Sequence, residues 1–382
     1  HRSMLVDEER CLTFMRAILN RVRPGDIVLD IGSGTGILAL FACLAGAKHV
    51  YAVEHDSVIE VARRICRENG FDERVTFVKD WSTNIELPEQ VDVVVTETIG
   101  NMGFEEGILG WVLDARDRLL VPGGRIVPQT VSLVAVPVEN QAAYRPVDVW
   151  LGDIFSFDFS AARAVAANNL HWIDLSTESF LSEAGHLARV ELAEVVSAGV
   201  GGAASFEINR EGVLHGMGSW FAAELAPGIK LSNAPPNRTP SWMHGFLPLE
   251  QPLPVVPGDR LRVEIQADAN SAQWAWRVSR DGRTLQETTV TGEMAYSGQT
   301  TRSGQLLPRT SGRFLELVPA RSQDADVDLF VLRLMDGIRT VEDVAYQTVA
   351  RFPAHLSFDS ALARVHNLVE YYGCRMGSDN QS

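Results

Sequence analysis

The chain has 382 residues, 46% of them hydrophobic, and a formal net charge of −15. That length and apolar content allow two or three domains with real cores and exclude a wholly disordered chain. An acidic balance excludes a phosphate-backbone binder, which needs clustered Lys and Arg, so no nucleic-acid partner is expected; it suits solubility and the steering of cationic substrates.

Residues 1–128 read as alternating strand and helix. Ile27-Val28-Leu29 is a short buried strand, followed by the turn Asp30-Ile31-Gly32-Ser33-Gly34-Thr35-Gly36 and the apolar helical run Ile37 to Ala42. Strand, glycine turn and helix bring a backbone close to a nucleotide. Glu54 ends a second strand, Val50 to Val53, eighteen residues after Gly36. An acid there can accept both ribose hydroxyls. A helix with apolar Val58, Ile59, Val61, Ala62 and Ile65 follows, closed by Asn69-Gly70. Val75 to Val78 and Val91 to Val95 read as further strands, with helix-like sequence from Glu105 to Leu120. Pro122-Gly123-Gly124 reads as a turn into Arg125 to Pro128. This is βαβ logic, so an α/β domain with a parallel sheet is expected.

From Gln129 the pattern changes. Short β-like runs over 187–223, 245–267 and 273–318, divided by Gly, Pro and Asn, predict a β-barrel or sandwich domain over 129–318. Within it, Tyr144 to Asp174 is rich in aromatics and alanine and reads as a helical insertion. A third, helical module spans 319–382, in which Thr340-Val341-Glu342-Asp343 reads as a capping box opening a helix to Arg351. A second helix is expected from Asp359 to Tyr372, and a polar, disordered tail from Ser378. No apolar run reaches membrane length and no signal peptide is visible, so no membrane partner is expected. Cysteines 11, 43, 66 and 374 lack C-x-x-C spacing and read as reduced thiols of a cytoplasmic protein. No H-E-x-x-H pair occurs, so no metal is expected. The chain opens on His1 rather than Met, which reads as a trimmed start or a tag remnant.

The chemistry is carried beyond the strand at Val91 to Val95. Ligands of open α/β sheets bind outside the carboxyl ends of strands, which puts Glu97 at the mouth of the site. Glu106 lies nine residues on, across Thr98-Ile99-Gly100-Asn101-Met102-Gly103-Phe104-Glu105. Two carboxylates on a folded-back loop can grip one planar guanidinium. Glu105 reads instead as a helix N-terminal acid favoured by the dipole.

Gly32-x-Gly34-x-Gly36 after Asp30, with Glu54 in register, resembles the first motif of class I S-adenosylmethionine-dependent methyltransferases. With Glu97 and Glu106, the chain resembles the protein arginine methyltransferase family, although Thr98 and Ile99 stand where that family has Trp and Met. The resemblance spans about residues 1–318 and implies a Rossmann-like domain, a barrel and S-adenosylmethionine as cofactor. It implies catalytic roles for Glu97 and Glu106. The segment His1-x-x-Met4-Leu5-x-Asp7-Glu8-x-Arg10 also matches, which implies Met4 near the cofactor and Arg10 on its carboxylate. Asp30, Gly32, Ser33, Gly34 and Gly36 would line its methionine part, Glu54 would bind the ribose, and Ser82 and Thr83 would meet the adenine. The family's Thr-His-Trp loop falls on Pro240-Ser241-Trp242, which places Ser241 and Trp242 beside substrate without the His. The family's N-terminal lid helix, with its Tyr-Phe-x-x-Tyr, has no counterpart in this chain. An arm at 144–174 implies a homodimer. Leu334 to Ala345 resembles small winged-helix modules that bind leader peptides; a helical cap on the barrel is the other reading.

The expectation is therefore methyl transfer to the guanidino group of arginine, free or peptide-bound. Another small guanidino or amine metabolite, and a non-catalytic S-adenosylmethionine-binding protein, stay open as alternatives.

Overall fold

The computed structural model describes residues 1–236, 241–268, 273–280, 283–288, 323–335, 339–353 and 356–372. The chain divides into two compact units, His1–Leu307 and Pro308–Ser382. In the first, helices α1 (Arg2–Val6) and α2 (Glu8–Arg21) precede any strand. The sequence reading did not single α2 out, although its start is written locally. Asp7 caps it by accepting the Arg10 amide at 3.1 Å, and Glu8 and Glu9 fill its first turn. Phe14, Ala17 and Ile18 bury its inner face.

Then β1 (Ile27–Ile31), α3 (Ile37–Leu44), β2 (His49–Val53), α4 (Ile59–Glu68), β3 (Val75–Val78), β4 (Val91–Thr96), α5 (Ile108–Arg118) and β5 (Leu120–Val127) build a parallel sheet of order β3-β2-β1-β4-β5. β1 is buried along its whole length, as an apolar strand between two neighbours must be. The Thr96 hydroxyl donates to the Ile31 carbonyl at 2.9 Å and locks the ends of β4 and β1 together. Three sequence expectations are corrected here. Pro122 to Gly124 is no turn but part of β5, where the pairing with β4 shifts register. The helix after Glu105 starts only at Ile108, because Gly107 takes a positive φ. Val61 lies on the exposed side of α4.

Two antiparallel sheets form the barrel module. β6 (Thr130–Val138), β7 (His171–Ile173), β8 (Gly185–Glu191), β10 (Gly212–Ala226) and β12 (His244–Val255), with β9 (Gly199–Glu207) and β11 (Ile229–Ser232) between them in sequence, are joined as β7-β12-β10-β6-β8, and β11 pairs with β10. β13 (Arg260–Asp268), β14 (Gln273–Arg280) and β15 (Arg283–Thr288) join β9 in the order β15-β14-β13-β9. The insertion comprises α6 (Gln141–Asp148) and α7 (Ala161–Ala167), then returns to the sheet as β7, so its last residues are strand rather than helix. Tyr144 is fully buried, with its hydroxyl between the carbonyls of Leu249 (2.8 Å) and Glu250 (2.9 Å). That contact pins α6 to the middle of β12. The two sheets meet where β8 and β9 run side by side. There a Cβ on Gly202 would overlap the carbonyl of Leu187.

In the second unit, α8 (Gln323–Leu334), α9 (Val341–Arg351) and α10 (Phe358–Tyr372) pack Val327, Val331, Val344, Ala345, Ala361 and Val365 into a core of their own. The capping box forms as expected: Thr340 Oγ1 accepts the Asp343 amide at 3.1 Å, and Asp343 Oδ2 accepts the Thr340 amide at 3.2 Å. The polar tail and Cys374 lie outside the described residues.

Gly202→Ala should cost about 1–3 kcal/mol of stability, because the overlapping atom is backbone and cannot rotate away. A lowered midpoint of thermal unfolding checks this; an unchanged midpoint would mean the β8–β9 seam has room for the added methyl group.

Candidate active site

The glycine turn between β1 and α3 is a backbone cradle. Gly32 and Ser33 donate their amides to the Val53 carbonyl at 2.9 and 3.0 Å, and Gly36 donates to Ser33 at 2.7 Å. Gly32, Gly34 and Gly36 all have positive φ, which a side chain would strain. Glu54, at the end of β2, is buried and faces this turn. Its Oε2 accepts the Gly34 amide at 3.0 Å and its Oε1 the Asp56 amide at 2.8 Å. Oε1 also lies 3.1 Å from His55 Nδ1, so Oε2 is the oxygen that keeps capacity for a second donor, such as a hydroxyl.

Asp30 is fully buried, and neither carboxylate oxygen has a hydrogen-bond partner. Burial, with the Glu54 charge adding to it, pushes its carboxyl up to about 7; the Ala39 amide of α3 acts in the opposite sense. The hydroxyls of Ser33 and Ser82 are likewise buried without partners. Buried polar atoms left unpaired are costly. Here they fit a polar ligand with donors for Asp30, hydroxyls for Glu54 and a backbone-hugging section along the turn. Ser82 is held from behind by Arg118, whose Nη2 donates to the Ser82 carbonyl and Nη1 to the Ile85 carbonyl, both at 3.0 Å. Thr83 is exposed and is not drawn into this group.

Glu97 leaves the end of β4 buried, 7% exposed. Its Oε2 accepts Arg10 Nε at 3.1 Å and also pairs with Arg10 Nη2. Arg10 Nη1 donates to the Met4 carbonyl at 3.3 Å, and the guanidinium lies over the rings of Trp242 (5.8 Å) and Phe14 (5.9 Å). Burial raises the Glu97 carboxyl above the usual range, and Arg10 and the Ile99 amide oppose that rise. Trp242 also makes an edge contact with Phe221, and beside it the Ser241 hydroxyl is buried without a partner.

Glu106 is exposed at the far end of the loop, yet protein packs closely enough around it to push its carboxyl up to about 7. Loss of solvation leads, then the charges of Glu97 and Glu105, with Arg10 opposing. The middle acid does something else. Glu105 folds back into the loop and accepts the amides of Met102 at 2.8 Å and Phe104 at 3.2 Å. A Cβ on Gly100 would strike its carboxylate. Glu105 therefore staples the loop; it is not a helix-dipole acid, since α5 begins three residues later.

An aromatic column was not anticipated from sequence. His55, Trp81 and Trp111 stack in sequence, with centroids 3.9 and 5.6 Å apart. Trp111 Nε1 donates to the Glu106 carbonyl at 3.0 Å, so the column runs from beside Glu54 to the acid-bearing loop. The only local sign is that His55 follows Glu54 and Trp81 precedes Ser82.

A parallel β3-β2-β1-β4-β5 sheet, a glycine turn after β1 with an acid before it and an acid closing β2 define a class I S-adenosylmethionine-dependent methyltransferase. Comparison with known proteins agrees. Residues 9–108 match the family described as ribosomal protein L11 methyltransferase (PrmA). Residues 129–277 match the arginine methyltransferase oligomerization subdomain. Protein arginine N-methyltransferase 1 of Dictyostelium discoideum is 30% identical over 267 residues, which covers 68% of this chain and 78% of the relative. The arginine N(omega)-methyltransferase of Streptomyces achromogenes subsp. streptozoticus is 32% identical over 272 residues, or 69% of this chain and 75% of the relative. A solved Trypanosoma brucei PRMT1 enzyme–prozyme heterotetrameric complex with AdoHcy superposes with a TM-score of 0.68 at 24% identity, covering 75% of this chain and 95% of that one. The chain belongs to the protein arginine N-methyltransferase family.

Asp30→Asn separates the site's demands from the fold's. The carboxyl is raised in the folded state, so its ionisation destabilises the fold fully above about pH 7, and the penalty fades as pH falls towards the unfolded value near about 4. Asp30→Asn should raise the unfolding midpoint at pH 8, with a smaller gain at pH 5, and weaken S-adenosylhomocysteine binding about tenfold or more. Calorimetry and thermal melts at both pH values check this; unchanged binding would remove Asp30 from the cofactor site.

Proposed function

We propose that this chain methylates the guanidino group of arginine, with Glu97 and Glu106 as its catalytic acids. The observation that carries the reading is the pair of acids at the two ends of one loop, at a strand end, beside a turn built for the cofactor. A guanidinium stays protonated, with a pKa above about 12, and its planar fork suits two carboxylates. Counting Arg10, Glu97 and Glu106 as charged, the site is one negative charge in excess, which a guanidinium neutralises. Lysine presents a point charge and would use neither the plane nor the second acid.

S-adenosylmethionine, when bound, supplies an electrophilic methyl group. Asp30, Ser33 and the turn amides would hold its methionine part, Glu54 its ribose, and Ser82 its base; Arg10, with Met4 beside it, would face its carboxylate. Glu97 and Glu106 strip water from the guanidinium, aim one nitrogen and draw positive charge towards the others, so the rate comes from proximity and fixed electrostatics. The nitrogen that gains the methyl must lose one proton. Glu106, with a carboxyl near 7, is suited to accept it. Ser241 and Trp242 form the substrate rim.

We also propose a homodimer. Phe155 is 90% and Phe157 68% exposed on the insertion, and this stretch lies within the match to the oligomerization subdomain. Such an apolar patch needs a partner. Free, buried Cys43 and Cys66 suit a cytoplasmic location.

Labelled methyl transfer to free arginine, an arginine-rich peptide and a lysine peptide tests the substrate. Transfer is expected to one or both arginine substrates, and which of the two is labelled separates free from peptide-bound arginine. Transfer to lysine alone would overturn the guanidine reading.

A further inference from the structure

The loop that carries the two acids starts on the parallel sheet but is seated on the barrel. Ile99, Met102 and Phe104 are buried. A Cβ on Gly103 would stand 2.9 Å from Val131 of β6, and a Cβ on Gly245 of β12 would overlap the Met102 sulfur. Glycine at these places lets loop and barrel close on each other.

Within this seat one loop residue is held by hydrogen bonds from the barrel. The Asn101 carbonyl accepts from Asn233 Nδ2 at 2.9 Å, and the Asn101 side-chain oxygen accepts the Met243 amide at 2.7 Å. Asn233 is 1% exposed and uses its whole amide. Its Oδ1 accepts the Phe221 amide of β10 at 2.9 Å, and Nδ2 also donates to the Met243 carbonyl at 2.8 Å. His244 braces the same point from behind. Its Nδ1 accepts the Leu175 amide at 3.0 Å, so its Nε2 carries the proton and donates to the Asn233 carbonyl at 2.7 Å. A single buried amide thus joins β10, the segment after Trp242 and the acid-bearing loop. Residue types alone show none of this, because Asn101 and Asn233 are 132 positions apart.

We propose that Asn233 is a positioning residue for methyl transfer: by holding Asn101 it fixes the loop on the barrel, so that Glu97 at one end and Glu106 at the other meet on the same guanidinium. This rests on the arginine reading of the site. Asn233 itself does not touch substrate. The rival account is that Asn233 only folds the corner between β10 and β12, in which case its loss lowers stability and leaves the rate alone.

Asn233→Asp keeps the shape and the acceptor oxygen while removing both donations. Misplacement of a reacting group by about 1 Å costs about 10²-fold, so kcat should fall about 10- to 100-fold. The dissociation constant of S-adenosylhomocysteine should stay within about twofold, since the cofactor turn lies on the other sheet. Amide exchange across residues 98–106 should quicken about tenfold or more, while that of α5 is unchanged. Asn101→Ala removes only the companion tie, the side-chain oxygen that accepts the Met243 amide, leaves the carbonyl held by Asn233, and should give the same signature in weaker form. Wild-type kcat with unaltered loop exchange in Asn233→Asp, or in Asn233→Ala should the buried charge prevent folding, would overturn the proposal, as would a lowered unfolding midpoint in Asn233→Asp with kcat unchanged. If the wild-type chain methylates no guanidine, the arginine reading fails, and the exchange measurement still decides the tie.

Discussion

The site hangs on one buried ion pair, Arg10 with Glu97, drawn from residues 87 positions apart. Taking two charges out of water is expensive, and the attraction repays it only where geometry is good and the remaining donors are satisfied. Here two guanidinium nitrogens meet one carboxylate oxygen, a third meets the Met4 carbonyl, and the Phe14 and Trp242 rings lie alongside the cation. The pair therefore ties α2, the end of β4 and the barrel segment at Trp242 to one point. It also opposes the rise that burial imposes on the Glu97 carboxyl.

Around that point three glutamates divide the work by environment rather than by residue type. Glu97 is buried and paired, Glu105 is spent on loop amides, and Glu106 is exposed. Asp30 adds a fourth acid with no partner at all. A chain selected for stability alone would not bury the Asp30 carboxyl without a hydrogen-bond partner. That cost is the mark of a site that is completed by its ligands.

How much of this is legible in the sequence follows from range. Short-range features read well: the glycine turn with Asp30 before it, Glu54 at the next strand end, and the capping box at Thr340. That Glu97 and Glu106 bracket one loop is also legible, because a strand end and the nine residues after it are local; what seats that loop on the barrel is not. Long-range features do not read. Nothing near Arg10 announces Glu97, and nothing near Asn233 announces Asn101. Glu105 was misread because its neighbour Glu106 suggests a helix start, whereas Gly100 leaves the space into which its carboxylate folds. Pro122 to Gly124 was misread because a register shift inside β5 uses the same residues as a turn.

Glu106 offers the most direct test of the two-acid account. It is exposed and makes no side-chain hydrogen bond that the fold relies on, so Glu106→Gln should leave the structure intact. Methyl transfer to an arginine substrate and calorimetric binding of S-adenosylhomocysteine should be measured side by side. The account predicts a fall in kcat of about 10²-fold or more, with cofactor affinity unchanged and the unfolding midpoint not lowered. A kcat within a few-fold of the parent chain would contradict it.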